Sequence, residues 1–497
     1  MFLDQSGSGI LINEIGDLEK IARQLDPDAA SRQHLLHQTA EYARRYLESI
    51  AHSPAYVSHS DNGRALLDSP ISEEGISIDK ALALLEENVD TLGINLTSGR
   101  YLGYIPAGGL FHSALGDYLA AITNRYAGLF FGSPGAVRIE NMVIRWMASE
   151  IGYPSDSAGN LTSGGSLANL TAIVTAREDY GIDGENARKA VVYFTEQTHH
   201  CIDKGLHIAG LNHCLKRRVR IDANYRMDAE ALEQAIVADQ KAGLKPWLVV
   251  ASAGTTNTGA VDPLSHIGHI ASTYGLWFHV DGAYGGLFVL CPEGKAVLHG
   301  IHLSDSVVLD PHKSLFLPYG TGTVLVRDQQ KLYSAFNAEA DYIENILGEV
   351  DELSPADLSL ELTKHFRGLR IWLPLKLLGV APFRAALAEK MRLARYFYEQ
   401  IKSTPGFEVG PHPDLSIVVY RYLPKRAKPA GKNDADEFNH RLMQAIQKEG
   451  RIFISSTRID GKLVLRAAIL SYRTHLDEVT EAVDIIRRKA KQLEQEL

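Results

Sequence analysis

The sequence predicts an α/β protein built on a largely parallel, buried sheet, followed by a smaller α+β unit. Two observations carry this prediction. Between about residues 100 and 330, short apolar runs alternate with helical patterns: VVYF at 191–194, WLVVAS at 247–252, LWFHV at 276–280 and SVVLD at 306–310. Near-continuous apolar strands are covered on both faces, and intervening helices are the crossovers a parallel sheet requires. From about 405 the pattern changes to strand-like LSIVVYRY (415–422) and LVLRAAIL (463–470), with helical segments around 435–448 and 476–495.

Ahead of the sheet region, LLHQTAEYARRYLESI (35–50) and IDKALALLEENVDTL (78–92) place apolar side chains at helical intervals. The link between them is rich in Ser, Pro and Gly and reads as a loop. The acidic segment 336–361 has weak periodicity and reads as a mobile loop, and a helical region follows to about 402. These boundaries predict a helical N-terminal arm (1–98), a large α/β domain (99–402) and a small C-terminal α+β domain (403–497).

Composition narrows the class. Hydrophobic residues make up 45% and charged residues 22% of 497 residues, the balance of an ordinary globular protein. A net charge of −9 offers no general attraction for nucleic acid or anionic lipid, so neither is an expected partner. Three cysteines, Cys201, Cys214 and Cys291, make no disulfide framework, and no basic leader or spanning apolar run is visible, so a cytoplasmic location is expected.

Four segments at apparent strand ends carry the chemistry, because ligands of open α/β sheets collect there. In LTSGGSLANL (161–170), Gly164, Gly165 and Ser166 precede a helix, an arrangement that suits an anion such as phosphate but is also a common turn. In WFHVDGAYGG (277–286), a buried strand delivers Asp281, which could hold a protonated pyridine nitrogen or simply cap the turn. SVVLDPHKSLFLPYGTG (306–322) is the most specific: an apolar strand ends at Asp310, His312 and Lys313. Desolvation and neighbouring cations lower an amine's pKa and make a Schiff-base nucleophile, although a surface lysine is the plainer alternative. VVYFTEQTHHCIDKG (191–205) leads to His199 and His200, and an imidazole there could stack on a flat cofactor. A metal reading of His199, His200, Cys201, His207, His213 and Cys214 lacks the usual ligand spacings. The basic run Lys216 to Arg220 reads as a solvated strand edge.

In this order, the segments resemble the group II pyridoxal 5′-phosphate (PLP)-dependent amino acid decarboxylases, the family of aromatic-L-amino-acid, histidine and glutamate decarboxylases. The resemblance extends through YLGYIPAGG (101–109), FGSPGAVRIENMVIRWM (131–147), HFRGLRIWLPLKLLG (365–379) and STRIDGKLVLRAAILSYRTH (456–475). It implies a fold type I enzyme with a mostly parallel seven-stranded sheet, and a homodimer with active sites at the subunit interface. It also implies decarboxylation of an L-amino acid. Lys313 would carry the cofactor as a Schiff base, with His312 near the phosphate, Asp281 on the pyridinium nitrogen, Ala283 on one ring face and His199 on the other. Gly164, Gly165, Ser166 and Thr255 would surround the phosphate, and Tyr104, Ile105 and Pro106 would line the substrate pocket.

Two departures stand out. Asp310 replaces the Asn found in many family members, adding a negative charge near the phosphate that must be turned away or paired. The loop position of a catalytic tyrosine in aromatic amino acid decarboxylases falls on Pro355, or on Tyr342 if the alignment shifts. Competing readings are a related PLP enzyme with an oxidative aldehyde-forming, lyase or aminotransferase outcome, and a non-catalytic decarboxylase-like dimer.

Overall fold

The computed structural model describes residues 5–58, 62–105, 108–337, 352–425 and 434–496. Pro106, Tyr342 and most of the acidic segment predicted to be a loop lie outside these residues. The chain divides into two compact units, Met1–Ser53 with Val57–Asn95, and Pro54–Tyr56 with Leu96–Leu497.

The first unit is helical. Helix α1 spans Gln5–Ala22, α2 spans Ala29–Ser49 and α3 spans Ile78–Leu85. Asp28 caps α2 by accepting from the Ser31 amide at 2.7 Å, and Ser77 caps α3 through the Lys80 amide. The apolar spacing that predicts helix at 35–50 is present, yet α2 and α3 bury no residue in the single chain. On α1, Ile10, Leu11, Ile12, Ile15, Leu18 and Ile21 are all exposed.

In the second unit, α4 (Phe111–Thr123) and α5 (Pro134–Ile151) precede the sheet. Pro134 opens α5, where its missing amide costs nothing, and Gly152 closes it at φ 89°. Seven strands follow: β1 Ala158–Thr162, β2 Ala190–Thr195, β3 Leu215–Val219, β4 Lys245–Ser252, β5 Trp277–Gly282, β6 Ser306–Leu309 and β7 Gly322–Val326. Their order is β1-β7-β6-β5-β4-β2-β3. Pairings from β3 through β6 are parallel, whereas β7 runs antiparallel to both β6 and β1.

Alternation along each strand builds two cores. Tyr193, Val249, Phe278, Val280, Val307 and Leu309 pack on one face, and Val192, Phe194, Leu248, Val250, Trp277 and Val308 on the other. Helices α6 (Gly165–Asp179) and α7 (Cys201–Ile208) cover the second face, and α8 (Ala229–Lys241) and α9 (Leu264–Tyr274) the first. Each wholly buried side chain of the size of Phe194 contributes about 3 kcal/mol of transfer free energy.

The basic run predicted as a strand edge is the edge strand β3, but its charges are paired as well as solvated. Arg217 binds Asp239 at 2.7 Å, and Lys216 and Arg218 share Asp203. Such charges also block pairing with another chain.

The chain then passes through α10 (Gly368–Leu378) and α11 (Ala381–Lys402) to a four-stranded antiparallel sheet. Its strands are β8 Phe407–Val409, β9 Ile417–Tyr422, β10 Ser455–Ile459 and β11 Lys462–Ala468, in the order β8-β9-β11-β10. Together with α12 (Asp434–Glu449) and α13 (Leu476–Gln495), it buries a third core around Phe397, Tyr420, Leu442 and Val483. Among the described residues, no single helix is long and apolar enough to cross a membrane.

Candidate active site

The four segments singled out in the sequence converge on one cavity of about 430 Å³ at the carboxyl ends of the parallel strands. Its walls include Gly164, Gly165, Ser166, His199, Thr255, Asp281, Ala283, His312 and Lys313, which is every expected cofactor contact.

Lys313 arrives directly from the sheet. Strand β6 ends at Leu309, Asp310 leaves it in extended conformation, and Pro311 starts a single helical turn, Pro311–Ser314. That turn brings Lys313 Nζ within 2.9 Å of Asp310 Oδ2. Burial works against the ammonium, but the carboxylates of Asp310 and Asp281 outweigh it and raise the amine's pKa. This reverses the expectation of an amine activated by neighbouring cations, and the cause is the Asp310 pairing. Asp310 is almost wholly buried, and its Oδ1 has no hydrogen-bond partner among the described residues. Phe316, at the end of the same turn, holds a left-handed φ of 62°. A side chain at Gly108 would strike it, since an added Cβ would stand 2.5 Å from the Phe316 Cβ.

His312 points Nδ1 at the Thr321 carbonyl oxygen 2.6 Å away, so Nδ1–H donates. Its Nε2 lies 3.8 Å from Asp310 Oδ2, and burial holds its pKa below the usual value. Arg370 braces this loop by donating to the Tyr319 carbonyl and the Thr321 hydroxyl, both at 3.0 Å, while pairing with Asp117.

Asp281 closes β5. Its Oδ1 accepts from the Ala283 amide at 3.2 Å, and Cys201 Sγ stands 4.0 Å from Oδ2. His199 sits in the turn between β2 and α7, where its Nδ1 accepts from the Cys201 amide at 3.3 Å and its ring lies 4.1 Å from that of His200. Burial lowers its pKa despite the attraction of Asp281, so the ring is neutral at physiological pH.

Gly164 and Gly165 lead into α6, presenting its free amides to the cavity. A Cβ on Gly165 would stand 2.8 Å from Asp310 Oδ2 and 3.2 Å from the Ala283 Cβ. Thr255 shares a 2.8 Å hydroxyl contact with Thr258.

The expected substrate residues separate. Ile105 lines the cavity, Tyr104 does not and is 57% exposed, and Pro106 lies outside the described residues. Pro355 is buried away from the cavity walls, and its carbonyl accepts from Asn160 at 2.7 Å. Sequence reasoning missed Cys201, Asn169 and Tyr319 as wall residues. In the sequence Cys201 stands out only as one of several residues of metal-ligand type, and the other two carry no chemical signal of their own.

These residues fit PLP. A buried carboxylate, a strand-end amine and a glycine-lined helix start stand around one cavity, and the glycine turn has no room for a side chain at residue 165. The sheet and its carboxyl-edge site are those of a fold type I PLP enzyme. Residues 62–423 match the pyridoxal-dependent decarboxylase conserved domain. An aromatic-L-amino-acid decarboxylase of Bacillus atrophaeus is 33% identical over 95% of this chain and 98% of its own. A phenylacetaldehyde synthase of Arabidopsis thaliana is 30% identical over 80% and 82%. The crystal structure of Oryza sativa TDC with PLP and tryptamine superposes with a TM-score of 0.87 at 26% identity, over 94% and 99% of the two chains. The chain belongs to the pyridoxal-dependent decarboxylase family. Its cofactor is PLP, and its reaction is decarboxylation of an L-amino acid.

Proposed function

We propose that this enzyme decarboxylates an aromatic L-amino acid to the amine, using Lys313, Asp281 and His199 in the roles the family resemblance implies. The convergence of these three on one cavity with the glycine turn is the observation that carries the residue assignment. The aromatic substrate class is supported by the 33% identical relative named for aromatic L-amino acids. Ile105 and Tyr319 on the cavity wall suit an apolar side chain.

Bound PLP supplies an aldehyde carbon for exchange between amines and a conjugated ring that draws electrons from a bond at the substrate Cα. Lys313 provides the protein's amine. Asp281 accepts from the ring nitrogen and keeps it protonated. The turn of Gly164, Gly165 and Ser166, with His312 and Thr255, would hold the phosphate, and Ala283 and His199 would pack on the ring faces. His199, neutral, can also donate to the substrate carboxylate.

The same reading makes the enzyme a homodimer with active sites at the subunit interface, supported by apolar faces the single chain leaves uncovered. On α4, Phe111, Leu115, Tyr118, Leu119 and Ile122 are exposed along one stripe. It also keeps the division at residues 98 and 402, and a cytoplasmic location, which suits three free, buried cysteines.

The test is evolved carbon dioxide and amine from L-tryptophan, L-tyrosine, L-phenylalanine and L-dopa against L-glutamate and L-histidine. Turnover confined to the last two would overturn the aromatic assignment. A second reading, oxidative formation of aldehyde, is favoured by Pro355 at the loop tyrosine position. Under air it would give stoichiometric aldehyde, ammonia and hydrogen peroxide in place of amine.

A further inference from the structure

We propose that Asp310 is a positioning residue that docks the free Lys313 ammonium, holding the amine beside the cofactor site whenever it is not bonded to PLP. The inference rests on the reading of Lys313 as the cofactor lysine and extends it to a residue to which the family resemblance assigned no role.

The geometry is that of a built receptor. Asp310 stands where β6 ends, 1% exposed, with Oδ2 2.9 Å from Lys313 Nζ and Oδ1 without a partner among the described residues. Two glycines fix the carboxylate in place: a Cβ on Gly165 would lie 2.8 Å from Oδ2, and one on Gly322 would lie 2.8 Å from Oδ1. A rigid buried carboxylate is costly without a cation, and Lys313 supplies one. His312 stands 3.8 Å away as the other nearby base, and burial disfavours its charged form. The other titratable groups facing the amine are Asp281 from β5 and His199 and Cys201 from the region after β2, and Cys201 stays a thiol because burial raises its pKa.

Amine exchange gives the dock its use. The substrate enters as an ammonium, and its nitrogen bonds the carbonyl-derived carbon as the bond from that carbon to Lys313 Nζ breaks. With the carbon–nitrogen double bond neutral before and after, the three hydrogens and the positive charge that the substrate nitrogen gives up finish on Lys313 as an ammonium, so atoms and charge balance. Asp310 then receives that ammonium. The reverse holds for cofactor capture, in which Nζ must lose a proton before it attacks the aldehyde and water leaves. A carboxylate that stabilises the ammonium therefore slows capture at neutral pH and shifts it to higher pH.

The test follows the rate of imine absorbance when apoenzyme is mixed with PLP from pH 6 to pH 10, in the wild type and in Asp310→Asn. The variant is expected to show a profile displaced by at least one pH unit to the acid side, with capture at pH 7.5 at least tenfold faster. The same displacement is expected with pyridoxal, which lacks the phosphate. Coincident profiles, a gain that is uniform across pH, or an effect confined to PLP and absent with pyridoxal would overturn the dock, the last two outcomes pointing to simple repulsion of the phosphate. Should the variant fail to fold, reductive methylation of wild-type apoenzyme decides: at pH 8 Lys313 should lag behind the exposed Lys20 and Lys80, and equal labelling overturns the proposal. Borohydride reduction of the wild-type holoenzyme and peptide mapping separates the two layers. A label on another lysine removes the underlying assignment, whereas a label on Lys313 with coincident capture profiles removes only the dock.

Discussion

His279 Nε2 lies 2.7 Å from Asn169 Oδ1, two residues before the carboxylate of Asp281 on the same buried strand. Its Nδ1 contacts Ser306 Oγ at 2.8 Å, so both ring nitrogens are satisfied without a net charge. Burial pushes its pKa down to about 4. A depressed histidine leaves the unfolded chain binding more protons, so its contribution to stability is complete above about pH 6.5 and is lost as pH falls towards 4. The loss is about 3 kcal/mol over that window. His279→Gln should therefore lose less thermal stability than the wild type between pH 7 and pH 5, as differential scanning calorimetry would show; equal losses would contradict the assignment.

Lys313→Ala should abolish turnover and every borohydride-reducible bond between protein and PLP. Among the described residues, no other lysine lies on the cavity wall. Retained reductive labelling of the variant would place the bond elsewhere.

Asp281→Ala should lower kcat at least 100-fold, about 3 kcal/mol in the barrier, because the ring nitrogen loses the group that keeps it protonated. The melting temperature should change little by comparison, since the carboxylate's backbone contact is one 3.2 Å bond to Ala283. Near wild-type turnover would remove Asp281 from the chemistry.

Gly165→Ala tests the phosphate turn. The new methyl would meet Asp310 and the Ala283 methyl, with strand-end backbone behind both. The dissociation constant for PLP should rise at least tenfold, or about 1.4 kcal/mol. Fluorescence titration of the apoenzyme measures it, and unchanged affinity would mean that the phosphate lies elsewhere.

His199→Phe keeps a flat face and loses the hydrogen bond, so PLP binding should persist while kcat falls at least tenfold. Because the wild-type ring is already neutral at pH 7, the fall should be similar at pH 7 and pH 8.5. Loss of PLP binding with an intact fold would show that more than stacking depends on the imidazole.

Much of the sheet was legible because its central strands are uninterrupted apolar runs, and VVYF, WLVVAS and the first four residues of SVVLD lie in strands. Strands β1 and β7 were not, since AGNLT and GTVLV are short and carry glycine and threonine. The reversal of β7 has no local signature, because direction is set by pairing rather than by composition. The site was legible where a strand end coincided with a chemically distinctive residue, as at Asp281 and Lys313. Asn169 and Cys201 could not be read, because their place on the cavity depends on how α6 and α7 lie on the sheet. The Lys313 ion pair was equally hidden: the sequence placed a carboxylate three residues before the amine, but only the turn at Pro311 makes them touch.

The reversed strand β7 has a further consequence. Since it starts at the edge where β6 stops, the segment bearing Lys313 is a hairpin clamped by neighbouring ladder positions, Leu309 opposite Thr323. The Lys313 amine thus hangs from a short bridge with both piers set in the sheet, and has no slack to take up an insertion. Ile105 reaches the cavity from a separate stretch of chain. In the reading proposed above, substrate preference is therefore open to redesign at Ile105, whereas lengthening or shortening 310–321 would move the amine assigned to hold the cofactor.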